Sequence, residues 1–369
     1  MKTAAFYSFK GGVGRSLAAY HVARECTAHG LRVLLWDLDL EAPGLTMLPA
    51  LTHGHEIREG TVELLLEMRS TAPEPKVVQS AVIKYKPIDE KWVVTESVEE
   101  CVLMFLPAGA VDAENYGDRL GQLDLSGKLD LAARDLEKIR QFIEMELHPD
   151  IILIDSRTGI SSEAILSTTQ LSDLVVALTA LNEQSLRGTL PLLGSLTSGR
   201  GQDAIILVAS PIPVGEGELV AERLRHVRET CGRNVDVFLP YLPRLSLSDD
   251  PVQRNEAPFL FEAYKELASL LLERIGASPV YSKNSIREAI TNGRFTEALE
   301  AAERAARQWP RDPDVQLLLA VAARGLGLFE RARDYLLHGS TLASASGLSD
   351  APFTTALSDL ASVLRKPTE

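Results

Sequence analysis

Cysteine is scarce in this 369-residue chain: Cys26, Cys101 and Cys231 are scattered, odd in number and form no Cys-x-x-Cys pair. That argues against a disulfide framework or a cysteine zinc site and fits a reducing cytosol. Long apolar runs are missing as well. None approaches the roughly 20 residues that cross a bilayer, and no signal-peptide stretch precedes Lys10-Gly11-Gly12. The expectation is a cytoplasmic protein without a membrane partner. Basic charge is in deficit, with 38 Lys and Arg against 51 Asp and Glu and a net charge of −13. Such a surface repels nucleic acid and anionic lipid. The apolar share of 45% and the charged share of 24% nonetheless exclude a largely disordered chain. The length suits two or three domains.

What is present is a rhythm. Short apolar runs at 4–8, 33–36, 102–106, 151–154, 174–178, 204–208 and 235–239 alternate with amphipathic stretches such as 16–29, which Gly30 would end. Runs without polar alternation suit strands covered on both faces, and their alternation with helices predicts βαβ units. The fold expected over 1–277 is α/β: a mostly parallel sheet with helices on both faces. Residues from about 50 to 100 interrupt this rhythm. They read as an insertion with a short helix at 62–68, a proline-rich spacer, and a hairpin from β-like runs at 77–85 and 92–95.

Composition changes after a helical stretch at 258–275. Residues 281–369 hold 11 basic and 11 acidic side chains, so the first 280 residues carry the whole negative balance. Gly293, Phe295 and Ala298 recur 34 residues later as Gly327, Phe329 and Ala332, and Pro310 closes the first unit. Period and residue types resemble the tetratricopeptide repeat, a helix–turn–helix unit whose stacks bind protein partners. An all-α helical-repeat domain over 281–369 is expected, its last stripe (Phe353, Leu357, Leu360, Leu364) capping the stack.

Three segments carry chemistry. The first is Lys10-Gly11-Gly12-Val13-Gly14-Arg15-Ser16, between a strand and a helix. Its glycines let the amides of Gly11, Gly12, Val13, Gly14, Arg15, Ser16 and Leu17 turn toward phosphate oxygens at a helix N-terminus. Ser16 offers a hydroxyl to Mg²⁺. A chance match to such a loop in this chain is on the order of 10⁻⁴. The second is Asp37-Leu38-Asp39-Leu40-Glu41-Ala42-Pro43-Gly44, where carboxylates two residues apart at a strand end can face one cleft. The third is the apolar run ending in Asp155-Ser156-Arg157-Thr158-Gly159. There Asp155 would hold Mg²⁺ through water and the Gly159 amide would sense a terminal phosphate.

These segments resemble the ParA/MinD-type P-loop ATPases with a deviant Walker A motif, in a branch reading KGGVGR[ST]; the resemblance covers roughly residues 1–276. It implies ATP and Mg²⁺ as cofactors and a homodimer that sandwiches two ATP molecules. Lys10 would reach the partner's nucleotide, Asp37 would lie near the Mg²⁺ shell, and Asp39 would orient the attacking water. Arg15 replaces the usual P-loop lysine. Its planar fork differs from a point-charge ammonium, so phosphate binding should survive and turnover should be slow. Arg157 either touches the terminal phosphate or a partner subunit, in the manner of an arginine finger, or pairs with a nearby carboxylate and sets the loop, and Glu41 reads as a structural charge. For the base, a family asparagine is replaced by Ala209-Ser210-Pro211, while Pro240-Tyr241-Leu242-Pro243 fits the family's second loop. No Asn-Lys-x-Asp element selects guanine, which favours ATP.

Other features read as structural. His53-Gly54-His55 lacks further ligands, the arginines at 223, 225, 228 and 233 interleave with glutamates, and Pro107-Ala108-Gly109 is assigned no chemistry. The expected function is an ATP-binding, slowly hydrolysing dimeric switch that recruits a protein partner through its repeats. The alternatives are a nucleotide-binding scaffold with little hydrolysis and an ATP-dependent synthetase. A metal-delivery ATPase lacks its Cys-x-x-Cys, and a tyrosine kinase lacks its C-terminal tyrosine cluster.

Overall fold

In the computed structural model, the expected apolar runs form β1 (Lys2–Ser8), β2 (Val33–Leu38), β5 (Leu103–Leu106), β6 (Ile151–Ser156), β7 (Leu174–Thr179), β8 (Ile205–Ile212) and β9 (Val237–Pro240). With β3 (Ile83–Ile88) and β4 (Lys91–Val94) they make one sheet in the order β4-β3-β5-β2-β6-β1-β7-β8-β9. All neighbours from β5 to β9 are parallel, whereas β3 is antiparallel to β4 and β5. The described residues are all except 30, 53–55, 71–74, 89–90, 96, 98–100, 126, 214, 249–250, 254, 277–278, 347 and 365–369. Gly30, the proposed helix stop, and the His53-Gly54-His55 loop therefore lie outside them.

Contacts divide the chain into two units, Met1–Arg274 and Ile275–Glu369. In the first, the helices are α1 (Arg15–Ala28), α2 (Pro49–Thr52), α3 (Thr61–Ser70), α4 (Pro75–Ala81), α5 (Tyr116–Leu123), α6 (Leu129–Leu147), α7 (Ser162–Ile165), α8 (Glu183–Arg200), α9 (Gly217–Cys231) and α10 (Pro258–Arg274). Alternate strand residues point to opposite faces. Ala5, Leu34, Trp36, Ile152 and Ile154 share a core with Leu136, Ile139 and Ile143 of α6. α1 packs on β1, β2 and β6 and against α10.

The insertion departs from expectation at its start. Residues 77–81 belong to α4, not to a strand. Pro75 presets a helical first turn, and Val78, Ala81 and Val82 are buried at helical spacing. The hairpin itself is present as β3 and β4 and extends the sheet beyond β5.

Between α1 and α10 lies a buried histidine. The His21 ring stacks on Tyr264 at 4.5 Å and meets Phe261 and Tyr20 edge-on at 5.0 and 5.3 Å. Neither ring nitrogen has a hydrogen-bond partner. Burial, aided by the charge of Arg24, pulls its pKa down to about 3.

The second unit comprises α11 (Pro279–Thr291), α12 (Phe295–Gln308), α13 (Pro313–Gly325), α14 (Phe329–Ala345) and α15 (Ala351–Leu364). The recurring Gly293 and Gly327 take φ of 71° and 75° at the turns, and Ala298 and Ala332 are buried. Phe353 and Leu360 of α15 join the same core, as a capping helix should. A β-carbon on Gly325 would collide with the Phe295 ring. Alanine normally gains about 1 kcal/mol over glycine in a helix. Here overpacking should win, and Gly325→Ala is expected to destabilise the repeat unit by about 1–3 kcal/mol in denaturant melts.

Candidate functional site

The loop between β1 and α1 emerges at the middle of the sheet, with β6 on one side and β7 on the other. Gly12 and Gly14 take φ of 78° and 76°, conformations that favour glycine. Gly14 caps α1 and has no side chain to accept from the first-turn amides of Arg15, Ser16 and Leu17. β-carbons on Gly11 or Gly12 would meet nothing within 4 Å, so this side of the loop is open. The inner side is held. Ser210, near the end of β8, donates through Oγ to the Val13 carbonyl at 2.7 Å. Phe9 lies on α8 at Gly188, where a β-carbon would strike its ring, and Lys10 Nζ donates to Gln184 Oε1 at the start of that helix.

Parallel register places Asp37 of β2 directly beside Asp155 of β6. Asp37 is fully buried, and Oδ2 accepts from the Thr46 amide and hydroxyl, both at 2.8 Å, while Oδ1 accepts from the Asp39 amide at 3.2 Å. Burial and the neighbouring Asp155 push its pKa up to about 7 against the pull of Thr46. Asp39 Oδ1 accepts from the Ala42 amide at 3.3 Å. Burial pushes the Asp39 carboxyl up, and Arg15 only partly offsets that. Asp155 Oδ2 is buried without a hydrogen-bond partner.

Arg15 departs most from the expected phosphate grip. Its guanidinium, 7% exposed, bridges two of these carboxylates, with Nη2 2.8 Å from Asp39 Oδ2 and Nε 2.5 Å from Asp155 Oδ1. Burial works against its charge, but the two carboxylates outweigh it, so the guanidinium holds its proton more firmly than usual. Ser16 is close by. A β-carbon on Gly44 would collide with Ser16 Oγ and come 3.7 Å from Asp155 Oδ2, so only glycine lets these chains meet.

A cation fits this arrangement. Asp155 presents an oxygen with no partner, and that oxygen and the Ser16 hydroxyl both lie near Gly44, which suits the hard-oxygen preference of Mg²⁺. Asp37, expected near the metal, has hydrogen bonds on both oxygens and stands beside Asp155 on the adjoining strand. Among the described residues no three His, Cys, Asp or Glu side chains are grouped to hold a metal unaided. A cation here would be shared with phosphate oxygens.

Two further expected site segments are placed as follows. The Gly159 amide donates to the Ser8 carbonyl at 3.1 Å, so it is engaged with β1. Pro240 and Tyr241 sit at the end of β9, three strands from β1, with the Tyr241 amide donating to Ile212 O at 2.7 Å. Ser210, read only as a missing asparagine, is the residue of this region that reaches the phosphate loop. Arg157 forms a two-pronged pair with Glu41 and lies 3.5 Å from Glu163, which joins the loops after β2 and β6.

Several supporting residues had no motif to announce them. Thr46 Oγ1 donates to Asp37 and accepts from the Ala108 amide at 2.9 Å. Tyr116 Oη donates to the Leu40 carbonyl at 2.8 Å, steadying the segment that carries Asp39. Trp36 Nε1 donates to Thr61 Oγ1, which donates in turn to Pro107 O, tying α3 to the loop after β5.

With this geometry in place, solved structures similar to it are informative. MinD complexed with Mg-ADP from Pyrococcus horikoshii is 16% identical, with a TM-score of 0.52 over 74% of this chain and 97% of that one. The first unit has the fold of the MinD and ParA ATPases. A ParA family ATPase from Chlorobium tepidum gives 16% identity and a TM-score of 0.52 over 72% and 98% of the two chains. An ATP complex of Cyanothece McdA gives 18% and 0.53 over 75% and 96%. Residues 285–338 match the tetratricopeptide repeat family model. No curated protein sequence matches the chain. The MinD/ParA fold and the repeat thus occupy separate parts of one chain, and among the described residues no helix is long and apolar enough to cross a membrane.

Proposed function

We propose that the chain is a cytoplasmic ATP-dependent molecular switch: it binds Mg-ATP at the β1–α1 loop, pairs with a second copy, hydrolyses slowly, and engages a protein partner through its repeats. The observation that carries this reading is the convergence on one loop of an uncapped helix start, the Ser16 hydroxyl and an unpartnered Asp155 oxygen. Amides of residues 11–17 would take the phosphates, while Ser16 and Asp155 would hold Mg²⁺. When bound, Mg²⁺ neutralises phosphate charge. Asp39, steadied by the Ala42 amide and by Tyr116 on Leu40, would orient water. Lys10, only part-buried and held by Gln184, can swing outward to a second copy. The tetratricopeptide match supports the partner role, since such stacks present a concave face to peptides and helices.

Mg-ATP at about 100 times its dissociation constant should stabilise the fold by about 2.7 kcal/mol, which raises the melting temperature of a unit this size by about 5–10 °C. Lys10→Ala should keep that shift yet lose an ATP-dependent dimer in light scattering. A melt unmoved by every nucleotide would remove the reading. The pairing of Arg15 with Asp39 favours a second one, a nucleotide-binding scaffold that hydrolyses little. Phosphate release under saturating Mg-ATP separates the two.

A further inference from the structure

Arg15 spans two carboxylates with one planar group. Nε takes Asp155, Nη2 takes Asp39, and Nη1 is buried without a partner. All three side chains are nearly or fully withdrawn from water, at 7%, 4% and 0% exposure for Arg15, Asp39 and Asp155. A buried charge without a counter-charge is strongly unfavourable. Arg15 therefore cannot leave for a phosphate unless another cation replaces it beside Asp155 and Asp39, with Asp37 paired to Asp155 on the next strand. A lysine could not do this equally well. Its single ammonium lacks the fork that reaches two carboxylates from one side chain.

We propose that Arg15 is a built-in counter-cation: it latches Asp39 and Asp155 until a divalent cation takes its place, so that the site admits nucleotide together with Mg²⁺ and resists nucleotide alone. This rests on the nucleotide-binding reading above. A nucleotide phosphate tail entering without metal adds negative charge to a cluster whose only described buried cation is already committed. Its apparent affinity falls by the small fraction of molecules in which Arg15 is released. Mg²⁺ removes that penalty by compensating the carboxylates, and the freed guanidinium is then available to the phosphates.

The test measures binding of a fluorescent ADP to the full chain, in Mg²⁺ and in EDTA; ADP keeps hydrolysis out of the readout. Wild type is expected to bind Mg-ADP, and to bind ADP in EDTA about a hundred-fold more weakly. Asp39→Asn removes one of the two anchors at constant shape. It should tighten metal-free ADP binding about ten-fold or more, the worth of a charged hydrogen bond, with a far smaller change in Mg-ADP affinity. Glu41→Gln removes a charge nearby without touching Arg15 and should show no such gain. Equal gains in both variants, or none in Asp39→Asn, would overturn the latch. No Mg-ADP binding by wild type would remove the nucleotide reading with it, whereas equally tight binding with and without metal would remove the latch alone. Should Asp39→Asn fold poorly, the Arg15 Nε–H resonance of wild type, assigned by its loss in Arg15→Lys, decides. The latch requires it to be protected from exchange in metal-free protein and to move when Mg-ADP binds; a freely exchanging signal contradicts it.

Discussion

Asp155→Asn should lower Mg-ATP affinity by about ten- to a hundred-fold, the loss expected for a charged contact. It should also lower the melting temperature of the protein without nucleotide. Both effects follow from the position of this carboxylate at the end of β6. It is fully buried, one oxygen accepts from Arg15 Nε, and the other has no partner. Removing its charge leaves the buried guanidinium with Asp39 alone, and breaking one partner of a buried pair costs about 3–5 kcal/mol. Part of that cost returns through Asp37, whose carboxyl is pushed up by burial and by Asp155 and would ionise more readily once Asp155 is neutral. Calorimetric titration and a thermal melt read the two effects separately. An unchanged affinity would show that Asp155 does not hold the cation.

The second large effect is acid lability centred on His21. Its pKa lies near 3 in the folded chain because the ring is buried among Tyr20, Phe261 and Tyr264 without a partner. An unfolded histidine titrates near 6.5. Between those values the unfolded chain binds the extra proton, so stability is complete above about pH 6.5 and falls as pH drops toward 3. At 1.36 kcal/mol per pH unit, the loss approaches about 5 kcal/mol. His21→Phe should remove this component, and urea melts of both proteins from pH 7 to pH 4 would show a flatter curve for the variant. Parallel curves would mean that the histidine is solvated or partnered in solution.

Much of the first unit was legible because its signals are local. Seven apolar runs became seven strands, and glycines at positions 12 and 14 occupy positive φ where the loop needs them. The start of α4 misled because a short apolar run after a proline fits either periodicity; burial of Val78, Ala81 and Val82 settles it as a helix. Asp37, Asp39 and Asp155 were recognised individually, but the register that sets Asp37 against Asp155 is a property of the sheet. Ser210 on Val13, Thr46 between Asp37 and Ala108, and Tyr116 on Leu40 link distant segments through single hydrogen bonds, which no spacing encodes. Arg15 is the sharpest case. Its residue type suits a phosphate and a carboxylate equally, and only the surrounding charges determine which it meets.

The hairpin of β3 and β4 also determines where the sheet can grow. It seals β5, whose following loop supports Asp37 through Thr46, and leaves β4 as the outermost strand on that flank. With strands about 4.8 Å apart, a visiting segment annealing to β4 would settle about 10 Å beyond the margin that a bare β5 would offer. Lengthening the sheet on this flank would leave the machinery of the phosphate cleft undisturbed.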